Sequence, residues 1–172
     1  MDLDSAIYER RTHKVFGAER VPPNVVSELI ELARWAPNHH VTNPWRFRVL
    51  GPQSVERLKA AEGDVVRAKK LDRAPTLIAV TCASAPGASE PERREDLMAA
   101  ACAAYALLLG ATARGLANYW RTPAVLERSE GRAALGIGEN EQIVGLIHLG
   151  PLRQPAAVSE RAPVEAIAEF LD

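Results

Sequence analysis

The chain has 172 residues, of which 47% are hydrophobic and 25% are charged, and its formal net charge is −1. This length fits one domain with a core of its own, and the composition excludes a disordered or disulfide-dense chain. Because the charge is balanced along the whole sequence, nucleic acid is not an expected partner. We therefore expect a single domain over residues 1–172.

The two cysteines, Cys82 and Cys102, lie in apolar or Ala-rich surroundings, and neither belongs to a metal-binding spacing. We expect two buried thiols in a reducing compartment. The N-terminus begins with acidic residues and has no apolar segment of the kind found in signal peptides. These features predict a cytoplasmic protein.

Helices and short strands alternate along the chain. Hydrophobic periodicity and turn residues predict helices over 4–11, 25–36, 54–62 and 92–114, strands over 45–50, 76–82, 116–121 and 142–149, and a short amphipathic helix after the Pro-spaced tail 151–163. Strands interleaved with helices favour an α+β or α/β fold.

The helix over 92–114 is unusual because it is apolar nearly all round after Asp96. Its 17 uncharged residues from Leu97 to Ala113 reach the short limit of a membrane span, but eight of them are alanines, which are only weakly apolar, as are Gly110 and Thr112. We interpret this segment as a buried helix that ends before Gly115, not as a membrane anchor. Such a helix needs cover on most sides, by the domain core on one face and a second subunit on the other.

Common catalytic motifs are missing from the sequence. There is no GxGxxG after a strand, no GxxxxGK[ST], no GxSxG and no HExxH. A self-sufficient hydrolase, a kinase or a Rossmann dehydrogenase is therefore not expected.

The first group of polar residues, residues 10–16, is called here the N-terminal cluster. Arg10, Arg11, Thr12 and Lys14 provide two guanidinium groups, a hydroxyl and an ammonium group, which together suit a phosphate or another planar anion. Arg10 and Lys14 would share one face of a helix if the first helix reached them. The alternative is a solvated helix end, where cations are favoured in any case.

The second group, residues 34–47, is called the loop cluster. It leads from a predicted helix end through a polar loop into a predicted strand, an arrangement in which binding groups concentrate. Its polar and flat side chains are Asn38, His39, Thr42, Asn43, Trp35 and Trp45. The pair His39-His40 could bind a metal, but adjacent side chains diverge and no third ligand is near, so we predict no metal site. Trp45 and Phe47 could alternatively belong to the core.

The third group, residues 116–123, is called the strand cluster, and it follows the Ala-rich helix. Trp120, Arg121 and Thr122 place an aromatic ring, a guanidinium group and a hydroxyl side by side. All three tryptophans of the chain lie in the loop and strand clusters. A planar, anionic ligand that forms hydrogen bonds would need what the three clusters supply together.

In sequence and order, these clusters resemble the FMN-dependent nitroreductase family. The matching segments are RRT at 10–12 followed by Phe16, APNH at 36–39 leading to NPWRF at 43–47, YWRT at 119–122, and EQIVGLIHLG at 141–150. Each motif alone is weak, but four in the same order cover nearly the whole chain. Thr12, Lys14 and Asn43 stand where the family more often has Ser, Arg and Gln.

The resemblance implies an α+β fold with three layers, α/β/α, around a central mixed, mostly antiparallel sheet flanked by helices. It also implies an interlocked homodimer with two FMN sites at the subunit interface, and no metal. The chain is shorter than typical members of the family, so Trp35 and residues 63–73 would have to shape the pocket.

The resemblance further implies which residues hold FMN. Arg10, Arg11 and Thr12 would hold its phosphate, ribityl chain and pyrimidine edge, beside Trp120, Arg121 and Thr122 of the same subunit. The partner subunit would complete the site with its Trp35, Pro37, Asn38 and His39. The remaining residues of the implied set are Lys14, Asn43 and Arg153, the last at the phosphate.

The implied activity is that of an FMN-dependent oxidoreductase. Hydride from NAD(P)H would pass through FMN to a small acceptor such as a nitroaromatic, a quinone or an activated alkene, in a ping-pong scheme that needs no catalytic side chain beyond flavin N5. One alternative is a flavin-binding carrier or sensor with little turnover. A more distant alternative is an interaction module that binds no flavin and pairs its apolar helix with another protein.

Overall fold

A four-stranded antiparallel sheet lies at the centre of the computed structural model, which describes residues 1–171. Its strands are β1 (Trp45–Val49), β2 (Thr76–Ala83), β3 (Leu116–Arg121) and β4 (Glu141–Pro151). They are arranged in the order β1-β2-β4-β3, and each neighbouring pair is antiparallel. The strands β1 and β3 therefore form opposite edges of the sheet.

Within residues 1–171, six α-helices and four short 3₁₀ turns precede, connect or follow the strands. The helices are α1 (Leu3–Glu9), α2 (Pro23–Ala33), α3 (Pro52–Glu62), α4 (Val65–Ala68), α5 (Glu90–Ala113) and α6 (Ser129–Leu135). The 3₁₀ turns are His39–Val41, Lys69–Arg73, Ala124–Leu126 and Val164–Ala166.

Two hydrophobic cores lie on the two faces of the sheet. On one face, α5 and α2 pack against residues such as Ile78, Val80 and Ile147. On the other face, α3 and the segment around α6 enclose Leu77 and Leu146. This is the predicted three-layer α/β/α arrangement, and every strand pairing in it is antiparallel; the described residues add one isolated parallel bridge outside the strands.

Both ends of α5 are fixed by local sequence. Ser89 and Glu92 form a capping box, in which the Glu92 carboxylate accepts from the Ser89 backbone N–H at 2.7 Å. At the other end Gly115 adopts a positive φ of 69°, which a glycine accepts without cost. By length and composition alone α5 could also span a membrane, but half of its most apolar window is buried inside the structure, as expected for a core helix.

One side of α5 faces outward and is apolar. Met98, Cys102 and Tyr105 share this side at helical spacing, and Met98 and Tyr105 are 54% and 39% exposed. The prediction of two buried thiols is therefore wrong for Cys102, because the sequence does not tell which face of an all-apolar helix its own chain covers. Cys82 is buried in β2, and this burial raises the pKa of its thiol to about 11.

The first two helices differ from their predicted bounds. Asp2 caps α1 by accepting from the Ser5 N–H at 2.9 Å, and α1 spans Leu3–Glu9 instead of the predicted residues 4–11. Arg10 and Lys14 consequently do not share a helical face. The second helix, α2, begins at Pro23 and ends at Ala33, instead of spanning the predicted residues 25–36.

The prediction of a helix after residue 163 is also wrong, since among the described residues that follow 163 only the single turn Val164–Ala166 forms. The apolar side chains around it, including Ile167, Phe170 and Leu171, are more than 70% exposed. A short amphipathic segment is not a stable helix without a surface to pack on, and its own chain offers none.

Candidate functional site

The structure brings the N-terminal cluster and the strand cluster together at the free edge of β3. Thr12 forms an isolated parallel bridge with Asn118. The backbone N–H of His13 donates to the Asn118 carbonyl at 3.0 Å, and the Asn118 N–H donates to His13 Nδ1 at 3.4 Å. Two segments more than 100 residues apart in sequence therefore form one surface.

Asn118 also ties this surface to the C-terminal end of α5. It is completely buried, and its side-chain amide donates to Thr112 Oγ1 at 2.9 Å and to the Leu108 carbonyl at 3.4 Å. A buried amide held in this way fixes both the strand and the segment that lies beside it.

The backbone of Trp120 faces the same edge as that of Asn118. In an antiparallel pair the N–H and C=O of one residue point to the same side and alternate along the strand, so residues two apart share an edge. The Trp120 side chain points elsewhere: it packs against the core on the α5 side, and its indole N–H donates to the Val144 carbonyl at 3.0 Å. Any contact of Trp120 with a ligand at this edge would therefore come from its backbone.

Arg121 lies on the opposite face of β3 and is only half-buried. Its Nη1 atom is fully buried and has no hydrogen-bond partner among the described residues. Burial lowers the pKa of this guanidinium, Tyr119 opposes that change, and the nearby charge of Arg73 adds to it. Arg121 is thus a half-buried cation with one buried donor atom that is available.

His148 on β4 was not identified from the sequence. It is completely buried beside Tyr119, whose ring centroid is 5.6 Å away, and neither of its ring nitrogens has a partner among residues 1–171. Burial, followed by the positive charges of Arg121 and Arg73, lowers the pKa of His148 to about 3. The sequence signal was one histidine inside an otherwise apolar strand, a pattern that also fits a structural core residue.

The other basic residues of these clusters lie around this edge. The Arg11 guanidinium donates to the carbonyls of Tyr8 and Arg10, and its Nε atom is buried without a partner in the described chain. Arg10 is half-buried. The exposed residues of the implied set in this region are Thr12, Lys14, Thr122 and Arg153.

The loop cluster connects α2 to β1. Trp45 begins β1 and is buried, and Phe47 packs against the same core, so the structural interpretation of these two residues is confirmed. Trp35 is 76% exposed, and its indole N–H donates to the Glu31 carboxylate at 3.3 Å. Pro37 is exposed as well.

The loop itself is held in a strained shape. His40, Val41 and Asn43 have φ values of 50°, 53° and 48°, a region that costs energy for any residue except glycine and most for a β-branched one. Asn38 stabilises the loop, because its Oδ1 accepts from the Asn43 N–H at 2.9 Å and its amide donates to the Ala36 carbonyl at 3.3 Å. Strain of this kind is common at functional sites.

The loop is anchored to the N-terminal part of α5. Thr42 donates to Asp96 at 2.7 Å, and His39 Nδ1 lies 3.6 Å from the Glu95 carboxylate. The rings of His39 and His40 meet edge to face at 4.0 Å. Within residues 1–171, no group of three or more His, Cys, Asp or Glu side chains could hold a metal ion.

The loop cluster lies far from the other two clusters in the same chain. It anchors at Asp96, whereas Asn118 anchors at Thr112, and 16 residues of α-helix span about 24 Å. The two regions also lie at opposite edges of the sheet, because β1 and β3 are its outer strands. One chain therefore cannot close all three clusters around one small ligand.

Comparisons with known proteins agree with this fold and these motifs. The model of the nitroreductase family matches residues 7–70 and 55–151. Among curated relatives, "Putative NAD(P)H nitroreductase YfhC" of Bacillus subtilis is 27% identical over 94% of this chain and 90% of its own length. "Putative NAD(P)H nitroreductase YdjA" of Escherichia coli is 28% identical over 95% of each chain.

Solved structures show the same fold. A nitroreductase-like family protein from Bacillus cereus superposes with a TM-score of 0.89 and 24% identity, covering 100% of this chain and 97% of its own. A nitroreductase-like protein from Desulfovibrio desulfuricans, solved in complex with FMN, superposes with a TM-score of 0.82 and 23% identity, covering 99% and 97%. The matched motifs, the fold and the extent of the family match lead to one conclusion: the chain belongs to the nitroreductase family.

Proposed function

We propose that this protein is an FMN-dependent oxidoreductase that uses NAD(P)H to reduce a small acceptor such as a nitroaromatic, a quinone or an activated alkene. The observation that carries the proposal is the edge of β3, where the N-terminal and strand clusters meet around cationic side chains. Relatives over nearly the full length are named as NAD(P)H nitroreductases, which supports the choice of electron donor.

The residues at this edge fit a flavin mononucleotide. Arg11 and Arg121 each have a buried nitrogen without a hydrogen-bond partner among the described residues. Such donors cost free energy when they stay unpaired, and they suit the electronegative rim of a planar heterocycle or a phosphate. The outward-facing backbone of Trp120 adds a donor and an acceptor in one plane.

The chemistry at this site would come from the cofactor, since FMN, when bound, can take a hydride from a nicotinamide and pass electrons on to an acceptor. The chain's own residues bind and orient. Arg10, Arg11 and Arg121 place positive charge where negative charge develops on reduction, which stabilises the reduced state. Thr12 and Thr122 contribute hydroxyl groups, and Lys14 and Arg153 extend the positive charge.

A homodimer would complete the site. Trp35, Pro37, Asn38, His39 and Asn43 lie too far from β3 in their own chain, so in this proposal they reach the flavin of the partner. The outward apolar side of α5 supplies an interface for the second copy. In the same proposal, residues 1–172 form one domain and the protein is located in the cytoplasm.

The decisive experiment is a visible absorbance spectrum of the purified protein after addition of FMN and desalting, followed by NAD(P)H oxidation with each acceptor class. We expect retained flavin bands and turnover. Arg121→Ala should weaken FMN binding at least about tenfold, since it removes a charged donor. Arg57→Ala on α3, whose guanidinium donates hydrogen bonds to Ser54 and Ala134, is the matched control and should bind FMN normally.

A protein that stays colourless after reconstitution would contradict the proposal and favour an interaction module. Retained flavin with no oxidation of NADH or NADPH by any acceptor would favour a carrier or sensor instead. Equal FMN affinity in Arg121→Ala and the wild type would show that the flavin does not use the strand cluster.

A further inference from the structure

His148 is a buried polar side chain that the proposed flavin contacts do not use. It lies in the centre of β4, is 0% exposed, and both of its ring nitrogens lack a partner within the described chain. A buried imidazole without hydrogen bonds is costly, and an apolar residue would fill the same space more cheaply. The presence of a histidine at this position is therefore best explained by a hydrogen-bond partner for its ring.

The partner that the register offers is Arg121. Tyr119 pairs with His148 and Arg121 pairs with Leu146, so Arg121 and His148 are diagonal neighbours on one face of the sheet. Diagonal neighbours lie about 7–8 Å apart, a distance that a long side chain spans. Each of the two side chains has a buried nitrogen without a hydrogen-bond partner. Their hydrogen-bonding capacities are complementary, because the Arg121 guanidinium can only donate, while a neutral imidazole has one nitrogen that accepts.

The surroundings keep the imidazole in its accepting form. The Tyr119 ring lies beside His148, with the ring centroids 5.6 Å apart, and positive charges near His148 come from Arg121 on the same sheet and from Arg73 in the 3₁₀ turn Lys69–Arg73. Two guanidinium groups and burial all oppose a third positive charge. A neutral His148 is therefore available as an acceptor at physiological pH.

Arg121 and His148 are not hydrogen-bonded to each other in the structure. We propose that His148 is a positioning residue in the flavin-bound protein: a change of the Arg121 rotamer lets the neutral ring accept a hydrogen bond from that guanidinium and hold it in the orientation in which it contacts the flavin. This inference rests on the proposed function, because it assigns His148 a role through Arg121. His148 itself does not touch the cofactor.

The test is a double-mutant cycle on FMN affinity with His148→Leu, Arg121→Ala and the double variant, together with His148→Gln. We expect His148→Leu to weaken FMN binding about tenfold and His148→Gln, whose amide oxygen still accepts, to restore it to within about threefold of the wild type. In the Arg121→Ala background, His148→Leu should have no further effect, because the group that it positions is gone.

A residue that only fills the core gives another pattern. In that case His148→Leu would leave the FMN dissociation constant unchanged, or its effect would be equal in both Arg121 backgrounds, and His148→Gln would not rescue. Any of these results overturns the inference. The reduction potential of the bound flavin is a second readout, and it should shift in the same direction in His148→Leu and Arg121→Ala.

Failure of the proposed function is distinguishable from failure of this inference. If the wild type binds no FMN, the proposed function is wrong. The same double-mutant cycle is then measured on the free energy of unfolding in urea. Non-additive losses of stability for Arg121→Ala and His148→Leu would then still support the pairing of the two side chains. Additive losses would contradict it.

Discussion

Gly145 in β4 leaves the space in which the indole of Trp120 lies. A Cβ atom at this position would be 2.3 Å from Trp120 Nε1 and 2.8 Å from the Arg121 carbonyl. We expect Gly145→Ala to lower the free energy of unfolding by about 1–3 kcal/mol and to displace the strand cluster, because neither a packed indole nor a strand backbone can easily move aside. Urea unfolding and FMN titration measure the two effects.

Gly138→Ala is the control for this prediction. A Cβ atom there would meet only the Glu141 side chain at 3.6 Å, an ordinary contact. Its stability should stay within about 0.5 kcal/mol of the wild type. A stable Gly145→Ala variant with normal FMN binding would show that Trp120 does not need its observed position.

At the residue scale, the sequence could indicate which side chains carry chemistry but not which way each one points. Arg121 and Thr12 were implied as neighbours, and the edge of β3 does bring their segments together. The indole of Trp120 lies in the core instead, since strand alternation sends it to the α5 side. His148 was not identified, because its unpartnered nitrogens are a property of the packed neighbours and not of the local sequence.

The strand β4 is joined to β1 across β2 by a partly buried ion pair. Arg48 on β1 donates to both oxygens of Glu141 on β4, at 2.8 and 2.6 Å, and Thr81 on the intervening strand β2 also donates to Glu141. Burial alone would raise the pKa of Glu141, but the hydrogen bonds from Arg48 and Thr81 outweigh it and lower the pKa to about 2. The charged carboxylate thus stabilises the folded state.

This stabilisation depends on pH in a definite direction. The folded state holds the Glu141 proton less tightly than the unfolded state, so the contribution is complete above pH 4.5 and is lost as the pH falls towards 2. Glu141→Gln should therefore lower the free energy of unfolding by about 1–3 kcal/mol at pH 7 and by much less at pH 2.5. Urea unfolding at the two pH values measures the difference, with the exposed Glu139→Gln as control.

An equal loss of unfolding free energy in Glu141→Gln at both pH values would contradict this account. The wild-type carboxylate should stop stabilising the folded state once it is protonated, so the difference between the variant and the wild type should shrink at low pH. A deficit absent at pH 7 would show that the ion pair does not stabilise the sheet.

Strands and long helices could be predicted better than short elements. The strand 116–121 has the predicted bounds, and the other three differ by one or two residues, since alternating or β-branched runs between turn residues fix them locally. The helix α6 was not predicted. It contains Gly131, a residue type that local patterns assign to loops, and this glycine packs directly against the backbone of Val125, where a Cβ atom would collide with the Val125 carbonyl. This close contact is part of the tertiary structure, so the local sequence pattern could not predict it.

In our proposal, the outward apolar side of α5 forms the interface through which two copies of the chain make a homodimer. Met98→Glu combined with Tyr105→Glu places two charges on this side, and burying them against a second copy would be costly. We expect the double variant to be a folded monomer by light scattering and to lose FMN together with its partner. Val65→Glu, at an exposed apolar position on α4, is the control and should leave the assembly unchanged.

A wild-type monomer that binds FMN as one complete site would contradict this prediction, and so would a dimeric Met98→Glu, Tyr105→Glu variant. Loss of folded structure by circular dichroism would call for the single variant Tyr105→Glu in the same measurement.

Subunit mixing tests whether each site draws on two chains. Arg121→Ala damages only the strand cluster, and Trp35→Ala with His39→Ala damages only the loop cluster. Each variant alone should lack intact sites, whereas dissociation and reassociation of an equal mixture should restore about a quarter of them, because half of the dimers are mixed and each has one intact site. FMN fluorescence quenching counts the sites, and no recovery after confirmed exchange would mean that each site belongs to one chain.

The separation of the loop cluster from the strand cluster along α5 has a genetic consequence. Under the proposed pairing every site takes its strand cluster from one chain and its loop cluster from the other. In a cell that makes normal and Arg121-deficient chains together, the fraction of working sites would then equal the fraction of normal chains. An allele that damages one cluster would therefore act in proportion to its dosage, whereas an allele that damages both clusters would be partly dominant.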